Sequence, residues 1–260
     1  MLGRESTVTK PALTIAYSVL AEGLPRVVLP RTRVDTEILM VVQGPGDVAP
    51  QRDDVRVIRL KSTGVAVSRN AAIREATGEV LVFGEEDVTW LPKGLVEVLA
   101  TFADNPRLAV LLGRANDETG ALRKRYPAIR ESATIWNSAR VGTIEVAVRP
   151  EMIRRANVTF DENFGAGTRN FLGDEYIFVA DANRAKLKCD YFPITFSQHP
   201  KDSSGTRFGT DADARARSRV SDRVFGWLAP VVRAALWLRN PGRFGSLVRG
   251  VRFVTGAFPR

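Results

Sequence analysis

The sequence predicts an α/β fold: a mixed, mainly parallel sheet with helices on both faces, followed by a basic amphipathic helical tail. Three observations carry this reading. Short apolar runs rich in β-branched residues alternate with helical stretches up to about Pro200. Strands separated by helices pair in parallel and place helices on both faces. Beyond Pro200 the alternation stops, and arginines take over between apolar residues at helical spacing.

The elements follow in order. Leu13–Leu20 and Glu37–Gln43 are apolar strand runs, the second closed by the turn formers Gly44-Pro45-Gly46-Asp47. Val55–Leu60 alternates and reads as a third strand. Ala66–Ala76 is helical and is stopped by Gly78. Glu79–Phe83 is a buried-type strand, Pro92–Ala103 a helix, and Leu108–Leu112 a strand. The predicted division is residues 1–208 as the α/β domain and 209–260 as the tail. In the tail, Val224, Trp227, Leu228, Val231 and Ala235 form one stripe, with Pro230 expected to kink it. After Asn240-Pro241-Gly242, a second stripe runs through Phe244, Leu247, Val248, Val251, Val254 and Phe258.

Composition narrows the class. The 260 residues are 44% hydrophobic and 26% charged, which excludes a disordered or collagen-like chain. The single cysteine, Cys189, cannot form an internal disulfide, so a reducing compartment is expected. Met1–Pro11 is polar without a signal-peptide core, and no apolar run approaches the roughly 20 residues of a membrane span. A cytoplasmic protein is the expectation. The net charge is +9, of which residues 211–260 carry +7 through ten arginines, no lysine and three acids. A basic excess beside Trp, Phe and Leu suits an anionic membrane surface. The other reading is a helical hairpin docked on the domain. A nucleic-acid partner is not expected, because no recognised motif accompanies the charge.

Ligands of such sheets bind beyond the carboxyl ends of the strands. There, after the fourth strand, stand Glu85, Glu86 and Asp87. Adjacent carboxylates repel, and a hard cation such as Mg²⁺ or Mn²⁺ offsets the repulsion. Upstream, Gly64 permits close backbone approach, with Arg69 and Asn70 near a helix start. That pairing is suited to phosphate or a nucleotide edge.

The run Gly64…Ser68-Arg69-Asn70, then Ala76-Thr77-Gly78, a strand and Glu85-Glu86-Asp87 resembles the nucleotide-sugar half of family-two glycosyltransferases of the GT-A fold. The second half is similar too: Phe160-Asp161-Glu162-Asn163-Phe164-Gly165, then Gly173-Asp174-Glu175, a strand ending near Pro193, and Gln198-His199-Pro200. The resemblance spans about residues 12–205. It departs from the family in Glu-Glu-Asp for an Asp-rich motif, in Gly84 where a bulky apolar residue is usual, and at the ends of the first two strands, Ser18 and Gln43.

The resemblance implies a role for each site residue. Asp87 would ligate a metal, Mn²⁺ or Mg²⁺, that bridges the donor diphosphate. Glu85 would bind that metal or the donor ribose and sugar, with Glu86 beside it. His199 would be a further metal or diphosphate ligand. Ser18, Gln43, Arg69 and Asn70 would contact the nucleotide or hold its loop, with Asp47 a possible substitute for the missing acid at the second strand. Glu175 falls at the catalytic base, and Asp174 is its neighbour. Trp136 is expected in the core or wall, with stacking on an acceptor sugar as the other reading.

The implied function is a metal-dependent inverting hexosyltransferase of polysaccharide biosynthesis. It would move a sugar from a UDP-, GDP- or dTDP-sugar to a glycan or lipid-linked acceptor, peripherally at the inner membrane face. The alternative is a non-catalytic GT-A-fold scaffold that binds sugar nucleotides.

Overall fold

The structure, a computed structural model, describes residues 10–46, 52–200 and 209–258. The readings placed on the first nine residues, on Asp47 and on a boundary at 208 lie outside the described residues.

Four parallel strands form one half of the sheet: β1 (Leu13–Leu20), β2 (Thr36–Gln43), β3 (Val55–Leu60) and β4 (Val80–Gly84), in spatial order β3-β2-β1-β4. Strands β5 (Thr89–Trp90), β6 (Leu108–Asn116), β7 (Glu131–Ser132), β8 (Val146–Val148) and β9 (Lys188–Gln198) complete it. Here β8 runs antiparallel between β4 and β6, while β6 and β9 are parallel. The sheet is therefore mixed, with its long pairings parallel. Two predicted strands prove longer than expected. The strand from Leu108 runs on to Asn116, and β9 continues through Pro193 to Gln198. Proline is tolerated because the β6–β9 register slips between Leu112↔Tyr191 and Arg114↔Thr195, a bulge that spans Pro193.

Alternation along β1 sets the two cores. Leu13, Ile15, Tyr17 and Val19 pack toward Leu95, Val98 and Phe102 of α2 (Pro92–Asp104; α1 is Val65–Glu75). Ala16 faces the other side, where α1, α3 (Pro150–Arg155) and α4 (Asp174–Arg184) supply Ala72, Ile153 and Phe178. A strand period of two and helices on both faces produce this split directly.

Gly84 occupies its unusual place for a packing reason. A Cβ there would lie 2.8 Å from the Tyr17 ring and 3.3 Å from Trp90. Those two buried rings, joined by the Trp90 Nε1–H bond to Tyr17 Oη at 3.0 Å, fill the room a larger residue would need.

The tail contains three helices where the sequence suggested two: α5 (Asp211–Phe225), α6 (Ala229–Arg239) and α7 (Leu247–Thr255). Thr210 caps α5 by accepting from Asp213 N at 3.1 Å. Pro230 does not kink a helix. It sits in the first turn of α6, where its missing N–H costs nothing. Nor are the apolar stripes continuous. Val224 packs inward against α4, whereas Trp227 beyond the Gly226 break is 86% exposed. In α7, Phe253 packs on Phe244, and Trp237 lies against Gly250, while Leu247, Val248 and Val251 face solvent. Arg233 is buried, donating to Val254 O at 3.0 Å and pairing with Asp222. Arg249 and Arg252 both pair with Asp211. Arg233, Arg249 and Arg252 thus tie the tail's helices together. No helix among the described residues is long and apolar enough to cross a membrane.

Candidate active site

The residues just past β4 and β9, the first turns of α1 and the start of α4 come together. Gly64 caps α1 at φ 113, and Gly173 precedes α4 at φ 87. Both angles lie in the left-handed region that favours glycine. Val65 N–H donates to Ala166 O at 3.0 Å, so the glycine turn before α1 and the loop Gly165–Gly167 are joined.

Arg69 is the hub. Its buried guanidinium pairs with Asp174, meets Glu85 Oε1 at 2.8 Å and lies 3.5 Å from Glu175 Oε1. It also lies 5.6 Å from the Phe160 ring centroid. One cation thus holds acids from two distant parts of the sequence. Burial and the neighbouring Glu175 push the Asp174 carboxyl up to about 7, against the pull of Arg69. Glu175 accepts a hydrogen bond from the Thr143 hydroxyl.

The second cluster is Glu85, Asp87 and His199, whose ligand atoms all lie within 4.8 Å of one another. His199 Nε2 is 3.1 Å from Asp87 Oδ1 and 3.6 Å from Glu85 Oε2. Burial disfavours the imidazolium, but hydrogen bonds to the two carboxylates outweigh it and push His199 up to about 10. The same bonds act back on the acids. His199 holds Asp87 below the ordinary carboxylate range, and His199 with Arg69 lowers Glu85 despite its partial desolvation.

A divalent cation fits this donor set. Two carboxylates and an imidazole supply hard and borderline ligands suited to Mn²⁺. His199 Nδ1 lies 2.7 Å from the Pro200 carbonyl, which can only accept, so Nε2 is left to face the acids. A second partner of this kind orients metal-binding histidines generally.

The remaining candidates separate. Asn70 bonds Phe160 O at 3.0 Å and accepts from Phe160 N at 2.7 Å, so it holds the loop after Val158. Gln43 is buried, and its Nε2 donates to Ser62 O and Gly64 O at 2.9 and 3.2 Å. Its amide thus shapes the turn before α1. Ser18, near the end of β1, is half-buried. Glu86 turns away to pair with Arg26. Trp136 is not a core residue: it is 68% exposed, its ring 5.1 Å from Phe225. Thr143 and the α5 residues around Val220 escaped the sequence reading. Neither carries a local signal, because their partners lie 32 or more positions away.

The mixed sheet with helices on both faces is the fold of GT-A glycosyltransferases. The sequence profile described as "Glycosyl transferase family 2" matches residues 46–178, and the chain belongs to that family. His199 and the tail fall outside the matched region.

No curated protein matches the chain. Among solved structures, S. aureus TarS residues 1–349 superpose with a TM-score of 0.56 at 14% identity, covering 83% of this chain and 66% of that one. The chain thus spans slightly less than two thirds of that structure. TarS 1–349 in complex with UDP-GlcNAc gives a TM-score of 0.56 at 14% identity, covering 93% of this chain and 81% of that one. The complex with UDP covers 82% and 65%, again with a TM-score of 0.56 and 14% identity. At that identity the likeness is one of fold.

Proposed function

We propose that the chain is a metal-dependent inverting glycosyltransferase that takes a sugar from a nucleotide-sugar donor to a hydroxyl of a glycan or lipid-linked acceptor. The observation that carries the proposal is the Glu85–Asp87–His199 cluster, set one arginine away from Asp174 and Glu175. Family membership and the UDP and UDP-GlcNAc held by similar structures support a nucleoside-diphosphate sugar as donor.

Asp87, Glu85 and His199 would hold Mn²⁺ or Mg²⁺, which when bound offsets the negative charge of a departing diphosphate. Glu175, oriented by Thr143 and Arg69, takes the proton of the acceptor hydroxyl as that oxygen attacks the anomeric carbon. The bond from that carbon to the diphosphate oxygen breaks on the opposite face, which inverts the configuration. Asp174 holds Arg69 in place rather than receiving the proton, since its carboxyl is buried against the guanidinium.

The tail supplies the proposed location. Trp227, Leu238 and Leu247 are 86, 73 and 71% exposed, and Val231, Val248 and Val251 are exposed with them. Exposed apolar residues on an arginine-rich segment support docking on an anionic lipid surface, where a lipid-linked acceptor would be reached.

A thermal-shift screen tests the donor claim, since a ligand bound to the native state raises its stability. UDP, GDP or dTDP should raise Tm in the presence of Mn²⁺. No shift with any of the three would overturn it.

A further inference from the structure

Helix α5 belongs by sequence to the basic tail, but its contacts lie on the catalytic side of the fold. Val220 packs against Gly173, the residue before Asp174: a Cβ on Gly173 would lie 2.5 Å from Val220 Cγ2. Val220 and Val224 share an apolar cluster with Phe164, Tyr176, Ile177 and Ala180, that is, with the loop before α4 and the first turns of α4 itself. One turn further on, the Arg223 guanidinium spans two elements. Its Nε meets Asp161 Oδ2 at 2.7 Å, and its Nη1 and Nη2 meet the two Asp181 oxygens at 3.1 and 2.6 Å. Asp161 opens the loop that carries Gly165, and a Cβ on Gly165 would lie 2.8 Å from the Asp174 carboxyl carbon. Asp181 lies in α4, two turns beyond Glu175. At the end of α5, Val224 O accepts from Arg184, and Phe225 backs Trp136. The Ile135 carbonyl beside that tryptophan accepts from Tyr176, the neighbour of Glu175.

We propose that Val220 and Arg223 are positioning residues of the transfer reaction, and that α5 is the brace that fixes the 161–175 segment so that Glu175 stands at one place and angle. The assignment rests on the proposed function for what Glu175 does, but not for the brace itself. The physical reason is the character of the braced segment. It contains three glycines at positive φ (Gly165, Gly167 and Gly173), and before α4 it is held by an isolated bridge from Phe164 to Asn170, turn hydrogen bonds and the bond from Val65 N–H to Ala166 O. Arg69 and Thr143 hold the Asp174 and Glu175 side chains, while α5 holds the backbone that carries them from the other side. The candidate nucleotide and metal residues lie on α1 and just past the ends of β4 and β9, whereas the contacts of Val220 and Arg223 run to Gly173, Asp161 and α4. The brace should therefore act on the chemical step and leave donor binding alone.

The test compares wild type with Arg223→Met, Arg223→Lys and Val220→Ala in the full chain. Hydrogen exchange is followed over residues 161–176, with β1 and β2 as internal reference. Hydrolysis of UDP-GlcNAc with Mn²⁺ is followed on the same samples. In Arg223→Met, exchange of the 161–176 amides should rise at least tenfold while the reference strands stay unchanged. The kcat should fall tenfold or more at a KM within twofold, and Arg223→Lys, which keeps one of the two contacts, should lie between. Val220→Ala should move both readouts the same way by a smaller factor. Unchanged exchange at 161–176 overturns the brace whatever the activity, as does a uniform rise over the whole chain. A wild type that leaves UDP-GlcNAc intact counts against that donor, and the exchange result still decides the role of α5. Raised exchange with an unchanged kcat overturns the positioning role.

Discussion

Arg69→Met has a calculable signature. The Arg69 and Asp174 side chains are 3 and 4% exposed, so the pair is almost wholly out of water. Removing one partner of such a pair costs about 3–5 kcal/mol, because the other charge is left buried alone. Here the cost depends on pH. The Asp174 carboxyl, raised to about 7 in the folded protein, destabilises the fold progressively as pH rises from the unfolded value near 4, and the penalty levels off near pH 7. Without the guanidinium its pKa rises further, so in the variant the penalty continues to grow above pH 7. Above pH 7 the gap between the two proteins should widen with pH, by at most about 1.4 kcal/mol per unit. At pH 6 the carboxyl is protonated in both, and the gap reduces to the lost contacts of Arg69 with Glu85 and Phe160, about 1–2 kcal/mol. Urea unfolding followed by circular dichroism at pH 6, 7.5 and 9 reads these values. A gap that stays constant from pH 6 to 9 would refute the reasoning, since Asp174 would then not depend on Arg69 for its charge.

Other expectations follow from single contacts. Gly173→Ala adds a left-handed Cβ, costing about 1 kcal/mol, to an overlap with Val220 costing about 1–3 kcal/mol. Val220→Ala in the same chain should recover most of the overlap part, so an additive double-mutant cycle in urea would contradict the packing. His199 has a folded pKa raised to about 10. In metal-free protein it therefore contributes stability fully present below about pH 6.5 and lost as pH rises toward 10. A Tm–pH slope over that window that persists unchanged in His199→Gln would exclude this source. Asp87→Ala should abolish any Mn²⁺-dependent Tm rise with nucleoside diphosphate; a rise equal to wild type would remove Asp87 from the site. Replacing Trp227, Leu238 and Leu247 together by serine should leave Tm within a few degrees yet weaken sedimentation with phosphatidylglycerol vesicles at least tenfold, and equal sedimentation would sink the membrane reading.

Local chemistry made much of this fold readable. Apolar runs in β1 and β2, alternation in β3, the stop at Gly78 after α1 and the proline that opens α2 have short-range causes, so the strands and helices fall where period and punctuation put them. The acids after β4 and the pair opening α4 were legible as types, because three adjacent carboxylates call for a counter-charge. Which cation answers them was not. Arg69 serves Glu85 sixteen positions away and Asp174 one hundred and five positions away, and only the folded topology joins them. Gln43 and Asn70 look like ligand readers in sequence, yet both satisfy backbone groups of nearby loops. The tail was legible only as composition. Its charge and apolar stripes suggested a membrane surface or a hairpin docked on the domain, and which of its residues face α4 (Val220, Val224 and Arg223) is set by contacts that a composition count does not contain.

Asp87, Glu85 and His199 would hold a cation for a nucleotide-sugar donor while Glu175 serves the acceptor. Release of nucleoside diphosphate from UDP-, GDP- and dTDP-sugars tests it most directly, measured with Mn²⁺, with EDTA, and in Asp87→Ala and Glu175→Gln. At least one donor should be turned over with Mn²⁺ only. Asp87→Ala should lose both nucleotide binding and turnover. Glu175→Gln should keep binding and lose turnover by a hundredfold or more. Turnover that survives EDTA, or a Glu175→Gln protein as active as wild type, would contradict the account.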